Sequence, residues 1–202
     1  MAAKAERLIL ASASTARARM LEAAGVAFTI EPAAIDEARI KAAAREAGHT
    51  PMVCALALAT EKARVVSHRH PESLVIGADQ ILVAGSEWFD KPADLDAARL
   101  QLQALRGRGH ALATAVCVMR AGEPLWHTTS TPELTMRRFT DAFLDRYIAE
   151  EGEALTESVG ACRLEGRGVQ LLARISGDHF AVLGMPLLEL LDFLRDRGAL
   201  LT

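Results

Sequence analysis

The strongest constraint on the fold is the alternation of short apolar runs with amphipathic segments in the first half of the chain. The run at residues 8–11 predicts a buried strand, and a hydroxyl-rich turn then starts a helix at Ser14 or Thr15. Residues 74–79 form a second buried run, which ends in the charged Asp79. Further along, strand-like segments cluster. This order favours an α/β chain with a mixed sheet.

The later segments extend the same pattern without a linker or an internal repeat. Residues 110–118 and 126–139 predict an antiparallel pair of strands, and residues 169–175 and 180–183 predict two more. Helices are expected to begin near Asp36, Pro51, Asp94, Thr140 and Pro186. We therefore expect a single domain over residues 1–202.

Composition and charge exclude several classes of protein. Half of the residues are hydrophobic and 24% are charged, which excludes a disordered chain. A net charge of −3 excludes a broad basic surface for nucleic acid or for an anionic membrane. The sequence shows neither a signal peptide nor an apolar stretch of the ~20 residues that span a membrane, so a cytoplasmic location is expected. Three dispersed cysteines predict neither a disulfide framework nor a zinc site.

Three places stand out as candidate sites: the turn at Ser12, Ser14 and Arg17, the strand end at Asp79 and Gln80, and Lys91. Ser12, Ser14 and Arg17 surround a turn from strand to helix, where open N–H groups can bind an anion; a plain helix cap is the alternative. Asp79 ends a buried strand, where α/β sheets bind ligands; a turn-forming residue is the alternative. The sequence contains no P-loop, no G-x-G-x-x-G and no G-x-S-x-G motif.

Taken in order, the motifs of this chain resemble those of the Maf family of nucleotide pyrophosphatases. The resemblance runs from about Leu8 to Leu194 and rests on LILASAS at 8–14, IDE at 35–37, ATEKA at 59–63, VIGAD at 75–79, KP at 91–92, EGRG at 165–168 and VLGMPL at 182–187. It implies a long mixed sheet with flanking helices, in two lobes around a deep cleft, like inosine triphosphate pyrophosphatases. It also implies hydrolysis of a nucleoside triphosphate to the monophosphate and pyrophosphate, a divalent cation (Mg²⁺ or Mn²⁺), and a homodimer.

The resemblance also assigns roles to individual residues. Asp79 takes the place of the general base, and Glu37 and Asp79 that of the metal ligands. The substrate's phosphates would contact Ser12, Ser14, Arg17, Lys62 and Lys91. A triphosphate needs fixed cations at its oxygens, and a divalent metal needs hard oxygen ligands, so these residue types suit the reaction.

Three positions bear on the choice of base. Gln80 and Glu165 are like those of the branch that acts on 7-methyl-GTP, whereas the branch that acts on UTP and dTTP has Thr and Gln there. An ionised Glu only accepts hydrogen bonds, which suits the N1–H and N2–H donors of guanine. Ala16 stands where that branch carries Trp. The alternatives are a dTTP or UTP pyrophosphatase, and a nucleotide-binding regulator of septum formation with little turnover.

Overall fold

The computed structural model describes residues 6–201, and an eight-stranded mixed sheet runs through them. The strands are β1 (Leu8–Leu10), β2 (Thr29–Ile30), β3 (Leu74–Ala84), β4 (Glu87–Phe89), β5 (Gly109–Arg120), β6 (Glu123–Ser130), β7 (Glu133–Met136) and β8 (Leu172–Ser176). Their order is β2-β1-β3-β5-β7-β8, with β4 added to β3 and β6 added to β5. β1 pairs in parallel with β2 and β3, whereas β5 pairs antiparallel with β6 and β7. The expected mixed α/β fold is confirmed.

Seven α-helices lie within residues 6–201, and five of them begin after a residue whose side chain caps the helix. They are α1 (Thr15–Ala23), α2 (Glu37–Glu46), α3 (Pro51–Arg69), α4 (Leu95–Leu105), α5 (Asp141–Glu151), α6 (His179–Val182) and α7 (Leu187–Asp196). The side chains of Ser14, Asp36, Thr50, Asp94 and Thr140 each accept a hydrogen bond from a backbone N–H of the first turn. These caps explain why most helix starts could be predicted.

The chain divides into two compact units. The first comprises the chain up to Asp79, Thr114–Ser130 and the segment from Phe180 onward; the second comprises Gln80–Ala113 and Thr131–His179. In the first unit, β1 and β3 pack with α1 and α7 around a core that includes Leu10, Leu21, Ile76, Leu190 and Leu194. The rings of Trp126 and Phe193 stack at its edge, with centroids 5.1 Å apart.

Three strand predictions need correction, and one strand was missed. Residues 180–183 do not form a strand, because His179–Val182 is the short helix α6. Residues 169–171 belong to a 3₁₀ turn before β8, and the segment 126–139 is broken into β6 and β7 near Pro132. The hairpin strand β4 was not predicted. Short apolar runs fit a strand and a buried helical turn equally well, so periodicity alone does not separate them.

Gly77 brings helix α3 unusually close to strand β3. A Cβ atom at this position would lie 2.8 Å from the backbone nitrogen of Ala63, and nearer still to the carbonyl oxygen of Ala59. Both neighbours are backbone atoms and cannot swing away. The absence of a side chain at Gly77 therefore sets the distance between helix and strand.

The three cysteines lie at different depths in the structure. Cys54 and Cys117 are buried, Cys162 is half-buried, and all three are free thiols. Within residues 6–201, no helix is both long and apolar enough to cross a bilayer.

The buried His110 on β5 makes stability depend on pH. Burial lowers the pKa of its imidazole from 6.5 to about 4, although a hydrogen bond to the backbone of Arg108 opposes the change. Because the unfolded chain binds a proton at this site between pH 6.5 and 4 and the folded chain does not, stability falls as the pH falls through that window.

We expect His110→Leu to remove up to about 3 kcal/mol of this acid-induced loss of stability. Urea unfolding of both proteins at pH 7 and pH 4.5 measures it, and equal losses in the two would contradict the assignment.

Candidate functional site

The centre of the candidate site is a chain of three charged side chains in the first unit. Asp79 lies on β3 and Lys62 on α3, and both are buried. The Nζ of Lys62 donates to Asp79 Oδ1 at 2.6 Å and lies 2.8 Å from Glu37 Oε1, at the first position of α2. The ammonium therefore holds two carboxylates at close range.

One oxygen of Asp79 has no partner. Within the described residues, Asp79 Oδ2 is buried and has no hydrogen-bond partner. A buried carboxylate oxygen is costly to leave unpaired, so such atoms usually meet a water molecule, a proton or a cation. Oδ2 thus keeps an unused capacity to accept a hydrogen bond or a proton, although it is buried.

Ser12 and Ser14 organise the turn between β1 and α1. Ser14 is the N-cap of α1, because its Oγ accepts from the backbone nitrogen of Arg17 at 3.4 Å. The Oγ of the buried Ser12 accepts from the backbone nitrogen of Ser14 at 3.2 Å and from Arg17 Nη1 at 3.1 Å. The capping role of Ser14 is therefore present, and phosphate binding by this turn stays a prediction.

The guanidinium of Arg17 is held in the first unit by hydrogen bonds to two backbone carbonyl groups. Nη1 donates to the carbonyl oxygen of Ala78 at 2.9 Å, and Nε donates to the carbonyl oxygen of Gly184 at 2.9 Å. Burial lowers the pKa of Arg17, whereas the nearby carboxylates of Asp79 and Glu37 raise it. Because Ala78 directly precedes Asp79, Arg17 holds the backbone next to that carboxylate.

Gly184 is a site residue that residue-by-residue reasoning missed. Its φ is +107°, and a Cβ atom there would lie 3.2 Å from Arg17 Nε. The glycine in the motif at 182–187 was the available signal, but its partner 167 residues away in the chain could not be predicted.

Three of the remaining predicted site residues, Gln80, Lys91 and Glu165, belong to the second unit. Gln80 follows Asp79 on β3, so its side chain leaves the opposite face of the strand. Lys91 follows β4 and is exposed. Glu165 is also exposed and lies between the 3₁₀ turns Val159–Ala161 and Arg167–Leu171. Ala16, in the first unit, is half-buried on α1. The structure thus brings Arg17, Glu37, Lys62 and Asp79 together.

The carboxylates present suit a cation that is shared with a substrate. No group of three or more His, Cys, Asp or Glu side chains in residues 6–201 could hold a metal ion by itself. Mg²⁺, however, is commonly held by one or two carboxylates together with substrate phosphates and water. The unpaired Asp79 Oδ2 and the partly exposed Glu37 are compatible with this mode.

Comparisons with known proteins point in one direction. The model of the family described as Maf-like protein matches residues 7–197. A protein of Granulibacter bethesdensis named nucleoside triphosphate pyrophosphatase is 54% identical over 96% of this chain and 98% of its own length. One of Rhizobium johnstonii named 7-methyl-GTP pyrophosphatase is 46% identical over the same shares of the two chains. A solved dITP/XTP pyrophosphatase of Mycobacterium abscessus aligns over 66% of this chain and 75% of its own, at 18% identity and a TM-score of 0.39, too low to support an argument.

Proposed function

The chain belongs to the Maf family of nucleoside triphosphate pyrophosphatases, and we propose that it prefers 7-methyl-GTP or another guanine-type nucleotide as its substrate. The reaction is hydrolysis of the bond between the α- and β-phosphates, which yields a nucleoside monophosphate and pyrophosphate. The observation that carries the proposed chemistry is the buried Asp79 carboxylate, which has one oxygen on Lys62 and the other unpaired.

In the proposed reaction, Asp79 acts as the general base. Its free Oδ2 accepts a proton from a water molecule as the water oxygen bonds to the α-phosphorus. The bond from that phosphorus to the bridging oxygen breaks, and pyrophosphate leaves with the electron pair. Lys62 keeps the carboxylate in place through Oδ1 and offers positive charge to the phosphates.

Other residues of the first unit support this arrangement. Arg17 fixes the carbonyl of Ala78, and with it the backbone that carries Asp79. A divalent cation, held by Asp79 and Glu37 together with the phosphates, would neutralise negative charge on the substrate. Lys91 is proposed to contact the phosphates, because the family resemblance assigns it that role.

The proposed preference for guanine rests on Glu165. Its exposed carboxylate is available to accept hydrogen bonds from the N1–H and N2–H groups of guanine. The same carboxylate would repel the carbonyl oxygens of uracil or thymine, and sites built on specific hydrogen bonds discriminate strongly. The alternative is a solvated loop residue without a role in recognition. Relatives of 54% and 53% identity are named for nucleoside triphosphates in general, and one of 46% identity for 7-methyl-GTP.

Pyrophosphate release from a panel of 7-methyl-GTP, GTP, UTP and dTTP tests this preference. We expect the guanine-type nucleotides to give the higher kcat/KM in the wild-type protein. Glu165→Gln should lower the ratio of guanine to pyrimidine activity roughly 10- to 100-fold, because a charged hydrogen bond is lost. Glu157→Gln, another glutamate of the second unit, is the matched control.

Two results would contradict the proposal. UTP or dTTP as the best substrate of the wild-type protein would overturn the guanine preference and leave the pyrophosphatase activity standing. Release of no pyrophosphate from any nucleotide would instead favour a nucleotide-binding regulator.

A further inference from the structure

The segment 163–168, which carries Glu165, forms a tightly closed loop in the second unit. The backbone nitrogen of Gly166 donates to the carbonyl oxygen of Arg163 at 3.1 Å. Gly168 packs directly against the backbone of Arg163. A Cβ atom on Gly168 would lie 2.6 Å from the backbone nitrogen of Arg163. Only a glycine allows this approach, so the two ends of the loop touch.

The residues just before the loop are also held in place. Gly160 and Ala161 both have left-handed backbones, with φ values of +71° and +51°. Tyr147 on α5 donates its hydroxyl to the carbonyl oxygen of Ala161 at 3.1 Å, and Gln101 on α4 accepts from the Gly160 nitrogen at 3.2 Å. An alanine in this conformation persists only where its surroundings impose it.

Glu151, the last residue of α5, spans the two sides of the loop with a single carboxylate. Its Oε2 accepts from Arg163 Nη1 and its Oε1 accepts from the backbone nitrogen of Arg167, both at 3.2 Å. The side chain is only 9% exposed. The two donors lie on either side of Glu165 in the chain, so the carboxylate restrains the loop before and after that residue.

We propose that Glu151 is the positioning residue of this loop, and that it sets base discrimination by holding Glu165 in place. The inference rests on the proposed role of Glu165. Recognition groups must be held to within about half an ångström, and side chains behind them commonly supply that restraint. Glu151 need not contact the nucleotide.

The test compares Glu151→Gln with Glu153→Gln. An amide at 151 keeps the size of the side chain but loses the charge that both donors face. Glu153 is the matched control, because its side chain is exposed and makes neither of the two contacts of Glu151 to the loop. Base discrimination is the ratio of kcat/KM for 7-methyl-GTP to that for UTP, and hydrogen–deuterium exchange of the amides of Gly166 and Arg167 reports the loop itself.

We expect Glu151→Gln to lower the discrimination ratio roughly 10- to 100-fold, the cost of a displacement of about an ångström. Exchange at Gly166 and Arg167 should become faster, kcat for UTP should stay within about twofold, and Glu153→Gln should change none of these quantities. Faster exchange with an unchanged ratio would overturn the positioning role, because the contact would then be structural only. Unchanged exchange would overturn it as well.

Glu165→Gln, measured beside these variants, separates this inference from the proposed function. If Glu165→Gln lowers the ratio and Glu151→Gln does not, the positioning role is wrong and the guanine preference stands. If neither substitution changes the ratio, the guanine assignment fails, and the inference about Glu151 fails with it.

Discussion

Asp79→Asn is expected to lower the rate of pyrophosphate release by roughly 10²- to 10⁴-fold, the contribution of a positioned general base. An amide keeps the shape of the side chain and can still accept from Lys62 through its oxygen, but it takes up no proton from water. Steady-state release of pyrophosphate from the best nucleotide of the panel measures the effect. Thermal unfolding should show that the variant keeps the native fold.

Asp145→Asn is the control for this substitution. Asp145 is exposed and pairs with Arg99 on the surface, so the same chemical change there should leave the rate unaltered. A wild-type rate in Asp79→Asn would mean that the proton is taken by another group. A loss of rate together with a loss of fold would mean that Asp79 stabilises the protein rather than acting on water.

Gly77→Ala is expected to destabilise the protein by at least about 3 kcal/mol, which is a large share of the stability of a domain. The added methyl group would overlap backbone atoms of Ala59 and Ala63, so helix α3 would have to move away from β3. Because α3 carries Lys62, the movement would also separate Lys62 from Asp79. Urea unfolding measures the first effect, and pyrophosphate release measures the second.

Gly109→Ala is the matched substitution in a second strand. A Cβ atom at Gly109 would meet its nearest neighbour, the carbonyl oxygen of Leu134, at 3.9 Å, which is ordinary contact. This variant should stay within about 1 kcal/mol of the wild-type protein. If Gly77→Ala proved equally harmless, the close approach of α3 to β3 would not be needed for the fold.

Local signals in the sequence predicted a large part of the fold. Ser14, Asp36, Thr50 and Asp94 cap the helices that follow them, and a cap is a property of a few neighbouring residues. Helix α6 was predicted as a strand, because whether a four-residue apolar run becomes a strand or a turn of helix depends on packing partners far along the chain.

The candidate site was harder to predict from the sequence than the fold was. The family resemblance assigned Glu37, Lys62 and Asp79 to the site, but their contacts join α2, α3 and β3 and depend on tertiary packing. Glu151 gave no signal at all, since a glutamate in an acidic run at a helix end is typical of a solvated surface. Only the structure shows that its carboxylate accepts hydrogen bonds from residues on both sides of Glu165.

The position of Lys62 between two carboxylates changes what this ammonium can offer a substrate. An ammonium has three N–H donors, and Asp79 and Glu37 account for two of them. A phosphate that bound at Lys62 would therefore use the third donor or displace a carboxylate, so it would exchange partners with an ammonium that is already paired. The affinity that such a phosphate gained from Lys62 would be the difference between the ion pair it forms and the ion pair it replaces. The charges of this cluster also balance, because Arg17 and Lys62 are positive and Glu37 and Asp79 are negative. The cluster therefore attracts an approaching polyanion only weakly at long range.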